Sequence, residues 1–252
     1  PLRTANALKH TITTAFGLGA VQENKLKELI MNAYERRGIK KNVSSTWNNT
    51  PPTIAEVCKE FFDDEDLKQD KLFSCLDKLN DFEIFHPDAK ESKSLYDMID
   101  GVTVINISDC DADIQNLVVG IILDIFYSQM KVLGESKREG KYRQLRKMIL
   151  VDEADNFLCE DFQSLKKILK EGRMFGVGTI LSTQLLSHFS TGDNEYANYI
   201  MTWIVHKVSD LTIKDIKYIF NTTTKSQEEE LFNKIKSLEK HKSIVKLGNV
   251  DD

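Results

Sequence analysis

The spacing of apolar and polar residues changes about a hundred residues into the chain. Before residue 95 the apolar positions recur at helical spacing, and a second amphipathic stretch over residues 25–37 ends at Gly38. Thr53 and Glu56 have the spacing of a capping box, which predicts that a helix begins there. Residues 66–79 predict another helix. The pattern therefore predicts a helical insertion or subdomain over residues 1–95, with no chemistry of its own.

From residue 101 onward, predicted strands and helices alternate. The β-branched run VTVINIS (102–108) is typical of a strand buried on both faces, and an apolar helix is predicted over residues 114–130. Further strands are predicted at MILV (148–151), VGTILSTQ (177–184), WIVHKV (203–208) and SIVKL (243–247). Helices are predicted at 161–172, at 212–220 and, capped by Ser226 and Glu229, up to Lys240. This alternation predicts an α/β domain over residues 96–252 with a mostly parallel sheet flanked by helices.

Composition narrows the class of protein. The chain has 252 residues, of which 41% are hydrophobic and 29% charged, as in an ordinary soluble protein. Its net charge of -5 argues against binding nucleic acid over the whole surface, so DNA contact would need a local basic strip or assembly into a ring. The four cysteines form no C-x-x-C pair, and no apolar run reaches the ~20 residues of a membrane span. We expect a cytoplasmic protein with reduced thiols and no membrane partner.

Two adjacent acids, Asp152 and Glu153, directly follow the predicted strand MILV. Ligands of parallel α/β sheets bind beyond the carboxyl ends of the strands. An aspartate there can hold Mg²⁺, and a neighbouring glutamate can activate an attacking water. The alternative reading is a solvated strand end or a helix cap.

Polar residues end the next predicted strand at the same edge of the sheet. Ser182, Thr183 and Gln184 are placed to contact a phosphate or the attacking water, although an ordinary strand terminus has the same composition. Between the two strands, Arg173 is flanked by Gly172 and Gly176, which suggests an arginine displayed on a turn toward a neighbouring subunit's phosphate. The alternative for Arg173 is a surface side chain after a helix end.

The stretch ILVDEADNFL…SLKKILKEGRMFGVGTILSTQ resembles the Walker B to sensor region of the HerA/FtsK class of P-loop ATPases, which are ring-forming motors that act on DNA. Within that class it is most similar to the DptH ATPases of DNA phosphorothioation-dependent restriction systems. The resemblance implies a RecA/HerA-like core that uses ATP and Mg²⁺, with Asp152 on the metal and Glu153 as the catalytic carboxylate. It also implies Gln184 as the sensor, Arg173 as an arginine finger, a homo-oligomeric ring, and other restriction-complex subunits as partners.

The phosphate-binding loop of such an enzyme, G-x-x-x-x-G-K-[ST], does not occur in this sequence. The nearest match, GESKREGKY (134–142), has five residues between its glycines, Tyr142 in place of the hydroxyl ligand, and a helix rather than a strand before it. It is interpreted as a solvated loop. We expect the parent protein to continue upstream of Pro1, with this chain as its C-terminal portion and little or no ATP hydrolysis by the chain alone.

Contacts with DNA have weaker candidates. Lys166, Lys170 and Arg173 recur at i, i+4 and i+7 on one predicted helix, so they face either a phosphate backbone or only solvent. Residues 187–196 are a pore loop, a subunit contact or a simple linker.

Three functions remain open. The first is a DNA-directed ring motor of a restriction system, in which hydrolysis drives translocation or activates a partner nuclease. The second is a non-catalytic module that binds DNA or partner proteins. The third is an ATPase of a protein-secretion channel.

Overall fold

The computed structural model describes residues 1–63, 69–81, 88, 91, 95–158, 162–184, 190, 191 and 194–248. The chain divides into two compact units, Pro1–Gln129 and Met130–Asp252. The start of the helix predicted over residues 66–79 and half of the polar stretch 187–196 (residues 187–189, 192 and 193) lie outside the described residues. The proposed division after residue 95 stays a prediction.

The first unit is helical in its described part. Its helices are α1 (Leu2–Phe16), α2 (Ala20–Arg36), α3 (Ile54–Phe62), α4 (Lys71–Asp81), α5 (Leu95–Met98) and α6 (Ala112–Leu133), the last of which continues into the second unit. Gly17 ends α1 in the left-handed conformation with φ 59°. The predicted capping box is confirmed, because Thr53 Oγ1 accepts the Glu56 N–H at 3.4 Å and the Glu56 carboxylate accepts the Thr53 N–H at 2.8 Å.

One apolar cluster holds these helices together. It includes residues from α1, α2, α3, α4 and α6, among them Ile12, Leu26, Leu76 and Ile114. Asp124, the charged residue within the apolar helix α6, accepts a hydrogen bond from Thr11 Oγ1 of α1 at 2.5 Å. The acid is therefore paired across the helix packing, as a partly buried charge requires.

Helix α6 runs without a break through Gly120 and Asp124. Among the described helices it alone is long and apolar enough to cross a membrane by length and composition. That is weak evidence for a span, since the core helix of a soluble protein meets the same criteria.

The predicted buried strand at 102–108 is wrong. Residues 102–107 contain no strand, and Val102 and Val104 are 97% and 85% exposed. A strand is stable when neighbouring strands take up its backbone hydrogen bonds. The described part of the first unit supplies only helices, so the β-branched composition has no ladder to join.

The second unit contains every described strand. In chain order these are β1 (Arg138–Glu139), β2 (Tyr142–Arg143), β3 (Lys147–Val151), β4 (Val177–Leu181), β5 (Ser190–Thr191), β6 (Asn194–Glu195), β7 (Trp203–Val205) and β8 (Ile244–Lys246). Its helices are α7 (Asp155–Leu158), α8 (Gln163–Phe175), α9 (Ile213–Phe220) and α10 (Lys225–Lys236). Short 3₁₀ turns occupy Ser44–Thr46 in the first unit and Tyr196–Tyr199 here.

The strands pair in four two-stranded sheets, of which only β3–β4 is parallel among the described residues. The parallel sheet predicted from the sequence is present as this one small pair in the described part of the chain, and its strands are the two that precede Asp152 and Ser182. β7 and β8 are antiparallel because the chain returns to β7 through α9 and α10.

Three local predictions need correction. The charged stretch after α6 is a β-hairpin, β1–β2, instead of an irregular loop. Helix α8 extends to Phe175, so Arg173 lies in its last turn. Helix α10 is capped by Thr224, whose side chain accepts the Gln227 N–H at 3.4 Å, and not by Ser226.

Candidate functional site

The parallel pairing of β3 and β4 brings the two predicted site segments to one edge. Val151 is the register partner of Leu181, so Asp152 and Ser182 follow side by side at the carboxyl ends of the two strands. The Ser182 N–H donates to the Val151 carbonyl at 2.9 Å, and the Ser182 carbonyl accepts the Ala154 N–H at 2.7 Å. The ladder therefore continues past both strands and fixes the backbone on either side of the acids.

These two hydrogen bonds enclose a β-bulge. In a regular parallel ladder the Ser182 carbonyl would accept the N–H of Glu153, the second residue after Val151. It accepts the N–H of Ala154 instead, so two residues, Asp152 and Glu153, oppose Ser182 where one would be regular. The N–H of Glu153, displaced from the ladder, donates to Asp152 Oδ1 at 3.1 Å.

Glu153 has a left-handed backbone with φ 50°, which is unusual for a residue other than glycine, asparagine or aspartate. The bulge changes which residue turns inward. Lys147, Ile149 and Val151 form the less exposed face of β3, and strict alternation would place residue 153 on the same face. Ala154 takes the inward position, with 1% exposure, and its carbonyl accepts the N–H groups that begin α7. Both carboxylates therefore stay at the surface.

The partner strand presents polar groups at the same edge. Ser182 and Gln184 are exposed, and Thr183 is half-buried between them. The structure thus brings Asp152, Glu153, Thr183 and Gln184 to the same end of one strand pair.

A metal ion at this edge would have few protein ligands. No group of three or more histidine, cysteine or acidic side chains converges anywhere in the described ranges. Asp152 is exposed, and one of its oxygens is already engaged by the Glu153 N–H. Mg²⁺ often binds through one or two carboxylates, with waters and substrate phosphates completing its octahedron, and this edge fits that pattern.

Arg173 lies away from Asp152 and Glu153 of the same chain. It is exposed in the last turn of α8, next to the amino end of β4, whereas Asp152 follows the carboxyl end of β3. Five strand residues separate those two ends, which corresponds to about 16 Å. Gly172 and Gly176, read as a frame for a turn, have other roles: Gly172 packs in the helix against Val177, and Gly176 is the left-handed helix cap. Arg173 is thus not placed to reach the acids of its own chain.

The basic residues of α8 are not equivalent. The Lys166 ammonium lies 5.8 Å from the ring centroid of Tyr196, close enough for a cation–π contact, and its side chain is half-buried. Lys170 and Lys167 are exposed. The helical face proposed for DNA contact therefore retains Lys170 and Arg173 at the surface, while Lys166 is directed to an aromatic ring.

Reasoning from sequence missed the bulge and the role of Ser182 as its backbone partner. The sequence does contain a signal for the bulge. Alternation from Ile149 and Val151 would turn an acid, Glu153, inward, and a small apolar residue that can take the inward position follows it at once. The role of Ser182 has no such signal, because it depends on main-chain atoms of a neighbouring strand.

Comparison with known proteins gives a fold. No protein-family model matches the chain, and no curated protein matches it. Among solved structures, VirB4 of Thermoanaerobacter pseudethanolicus is similar, with a TM-score of 0.68 and 12% sequence identity over 97% of this chain. The chain spans 66% of that VirB4 chain. The chain therefore has an α/β fold of the RecA type, similar to the fold of that VirB4 chain. The predicted fold class is confirmed.

Proposed function

We propose that this chain contributes the metal-binding and water-activating half of an ATP hydrolysis site in a ring-forming motor. The observation that supports this most strongly is the bulge of Asp152 and Glu153 beside the polar end of β4, within a P-loop ATPase-like fold. In this proposal Asp152 binds Mg²⁺, Glu153 accepts the proton of the attacking water, and Thr183 and Gln184 contact the γ-phosphate or that water.

The two carboxylates suit these different tasks because they differ in backbone setting. Asp152 is held by the Glu153 N–H, and a fixed carboxylate is a good metal ligand. Glu153 carries a longer side chain on the left-handed residue of the bulge, so it extends further from the sheet edge. Nucleotide phosphates would be held by a glycine-rich loop that is absent from this sequence. We expect the isolated chain to hydrolyse little or no ATP.

The ring is part of the proposal. Arg173 is exposed at the opposite end of the strand pair from the acids, so it can serve as a finger only for a nucleotide bound by a neighbouring subunit. An Arg173→Ala variant mixed with a Glu153→Gln variant tests this, because subunit interfaces that pair one intact acid site with one intact arginine recover activity in mixed rings.

The cargo is proposed to be DNA. The resemblance to HerA/FtsK motors supports it, and the finer role in a phosphorothioation-dependent restriction system is supported by the resemblance to DptH alone. A second candidate cargo is protein, which the likeness to VirB4, a P-loop ATPase of the type IV secretion system, favours. DNA-stimulated hydrolysis would support the first cargo, and hydrolysis indifferent to DNA would support the second.

The test is ATP hydrolysis by the full-length protein, measured with and without DNA. Glu153→Gln is expected to lower turnover about 10²–10⁴-fold, the usual contribution of a general base, while nucleotide binding persists. Glu229→Gln is the matched control, since Glu229 is an exposed acid of α10 in the same unit. Wild-type turnover in Glu153→Gln would refute the assignment. Absence of any turnover in the wild type would favour a non-catalytic module.

A further inference from the structure

The segment from Lys137 to Lys147 has a charge opposite to that of the protein. Its sequence, KREGKYRQLRK, holds six basic residues and one acid, a net charge of +5 in eleven residues, whereas the whole chain has a net charge of -5. Such a concentration of one sign produces a local field that attracts the opposite charge. The hairpin β1–β2 forms the first part of this segment.

The base of the hairpin is fixed by two arginines of this segment. Arg143 donates to the carbonyls of Ser136 at 3.1 Å and Met174 at 3.2 Å, and it pairs with Glu135 at 3.3 Å. Arg146 donates to the carbonyls of Gly134 at 2.7 Å and Glu135 at 2.8 Å. These guanidinium groups satisfy carbonyls near the ends of α6 and α8, so their role is structural.

Of the other four cations, Lys147 begins β3 and is half-buried, and three lie on the exposed hairpin. Lys137, Arg138 and Lys141 are exposed, and Tyr142 is 73% exposed. Gly140 begins the two-residue turn with φ 61°, as tight hairpin turns require. Arg138 Nε donates to the Gly140 carbonyl at 3.0 Å, which steadies the turn. One aromatic ring and three cations are thus exposed on a hairpin that is held at its base.

The strand register distributes these charges over both faces. Arg138 is the partner of Arg143 and Glu139 that of Tyr142, so Arg138 lies on one face of the ribbon and Tyr142 on the other. Lys137 shares the face of Tyr142 by alternation, and Lys141 lies at the turn. A two-stranded ribbon with cations on both faces and at its end fits between two walls of negative charge.

We propose that this basic hairpin, residues 137–143, binds double-stranded DNA by entering a groove between its two phosphate backbones. The major groove of B-form DNA admits a two-stranded ribbon, and lysine and arginine on either face then meet phosphates of opposite strands. Most of the affinity comes from these charges and little from base sequence. The inference does not rest on ATP hydrolysis, because it concerns side chains distinct from the acids at the sheet edge.

The test is binding of the 252-residue chain to a fluorescent DNA duplex, measured over a range of salt concentrations. The variant Lys137→Gln, Arg138→Gln, Lys141→Gln is expected to weaken binding at low salt at least tenfold. It should also reduce the slope of log affinity against log salt by roughly 2–3, the loss of about three phosphate contacts. The matched control is Lys214→Gln, Lys217→Gln, Lys225→Gln, which removes the same charge from exposed positions in the region of α9 and α10 and is expected to bind as the wild type does.

Two further variants separate charge from fold. Lys137→Arg with Lys141→Arg keeps the charge and should keep the salt slope. If the triple variant does not fold, the single variants Lys137→Gln and Lys141→Gln are each expected to lower the slope by about 0.9.

Three outcomes would overturn the proposal. The first is an equal loss of duplex affinity in the hairpin variant and in the control variant. The second is the absence of duplex binding by the wild type. The third is preference for single-stranded DNA or for an acidic peptide over the duplex. ATP hydrolysis by the full-length protein, measured without DNA, tests the acids at the sheet edge independently of these results, so the hairpin proposal and the hydrolysis proposal fail separately.

Discussion

The two units of the chain differ in how completely the apolar side chains of their helices and strands are buried. In the first unit the helices pack their apolar faces into one cluster that reaches from Ala5 to Ile121. In the second unit several strand residues remain exposed: Leu150 is 68% exposed, Ile180 50%, Ile204 62% and Val245 52%. The exposed residues of each strand pair share a face, since Leu150 is opposite Ile180 and Ile204 is opposite Val245.

The difference follows from what each kind of element needs. A helix satisfies its own backbone and has to bury one apolar stripe, so a few helices can complete a core among themselves. A two-stranded sheet has two faces and two open edges, and it is rarely stable without further layers. The candidate site lies in the less enclosed unit, at the ends of strands.

The chain carries a spectroscopic probe in each unit. It contains two tryptophans, Trp47 in the first unit and Trp203 in the second. Replacing either one by phenylalanine leaves the fluorescence of the other, which reports unfolding of a single unit.

The largest expected contrast is in thiol reactivity. Cys58 and Cys75 are buried between α3 and α4, and burial raises the pKa of the Cys58 thiol to about 11 and that of Cys75 to about 12. The thiolate is the reactive form, so both should be alkylated at pH 8 at least on the order of a thousandfold more slowly than in urea. Peptide mass spectrometry after a labelling pulse measures this. If the folded protein were labelled as fast as the protein in urea, the two thiols would have to be accessible to solvent, contrary to the prediction.

These thiols also predict how the stability of the first unit depends on pH. As pH rises above 9.0, cysteines ionise in the unfolded chain before they do in the folded one, because folding raises their pKa. The stabilising contribution is complete below pH 9.0 and is lost as pH rises toward 11 and 12. The urea concentration at the midpoint of unfolding, followed by Trp47 fluorescence, should therefore fall as pH rises over this range. It should fall less steeply in the double variant Cys58→Ala, Cys75→Ala, which lacks both thiols.

A core truncation should separate the units next. Leu76→Ala removes a side chain with 1% exposure from the helical cluster and is expected to lower the free energy of unfolding of the first unit by about 2–5 kcal/mol. Val21→Ala, at a position 83% exposed, should change it by less than about 0.5 kcal/mol. Urea unfolding followed by Trp47 and by Trp203 tests both. Equal shifts in the two signals would mean that the two units unfold together and that their stabilities are not independent.

A glycine pair tests the second unit. A Cβ at Gly176 would lie 2.3 Å from the Gln144 carbonyl oxygen and 2.8 Å from Ser136 Cβ, at a residue with φ 73°. Gly176→Ala is therefore expected to cost about 2–4 kcal/mol. Gly140→Ala has a similar φ of 61° but no atom within 4 Å, so it should cost only about 1 kcal/mol of backbone strain. The difference, read by Trp203, isolates the steric contribution that holds the hairpin base to α8.

The smallest expected effect on stability concerns the bulge. Here the substitution by glycine is expected to raise the free energy of unfolding, whereas the core and glycine substitutions lower it. Glu153→Gly should raise the free energy of unfolding of the second unit by about 1 kcal/mol relative to Glu153→Ala, because only glycine adopts φ 50° without strain. Both variants lose the carboxylate and are expected to lower ATP hydrolysis by the full-length protein about as far as Glu153→Gln does. A lower stability for glycine than for alanine would show that the residue is not left-handed in solution.

Much of the fold followed from local patterns. The helices α1, α2, α3 and α6 could be predicted because apolar spacing, Gly17 and the Thr53 capping box act within a few residues of sequence. The strands β3 and β4 could be predicted for the same reason. Their parallel pairing was expected from the helix between them, which forces a crossover.

The sequence by itself therefore determined the elements whose signals are local, and with them the adjacency of the two acids at a strand end. Tertiary structure decided the rest. The run at 102–108 is β-branched yet forms no strand, because pairing depends on a partner that local composition cannot supply. The bulge at Glu153 exists because Ser182, distant in sequence, donates a hydrogen bond to the Val151 carbonyl and accepts one from the Ala154 N–H, which fixes the backbone on both sides. The hairpin is held by arginines that find carbonyls on other elements. Hydrogen bonds between distant segments are set only when the chain has folded, and they determine where the charges of this protein are displayed.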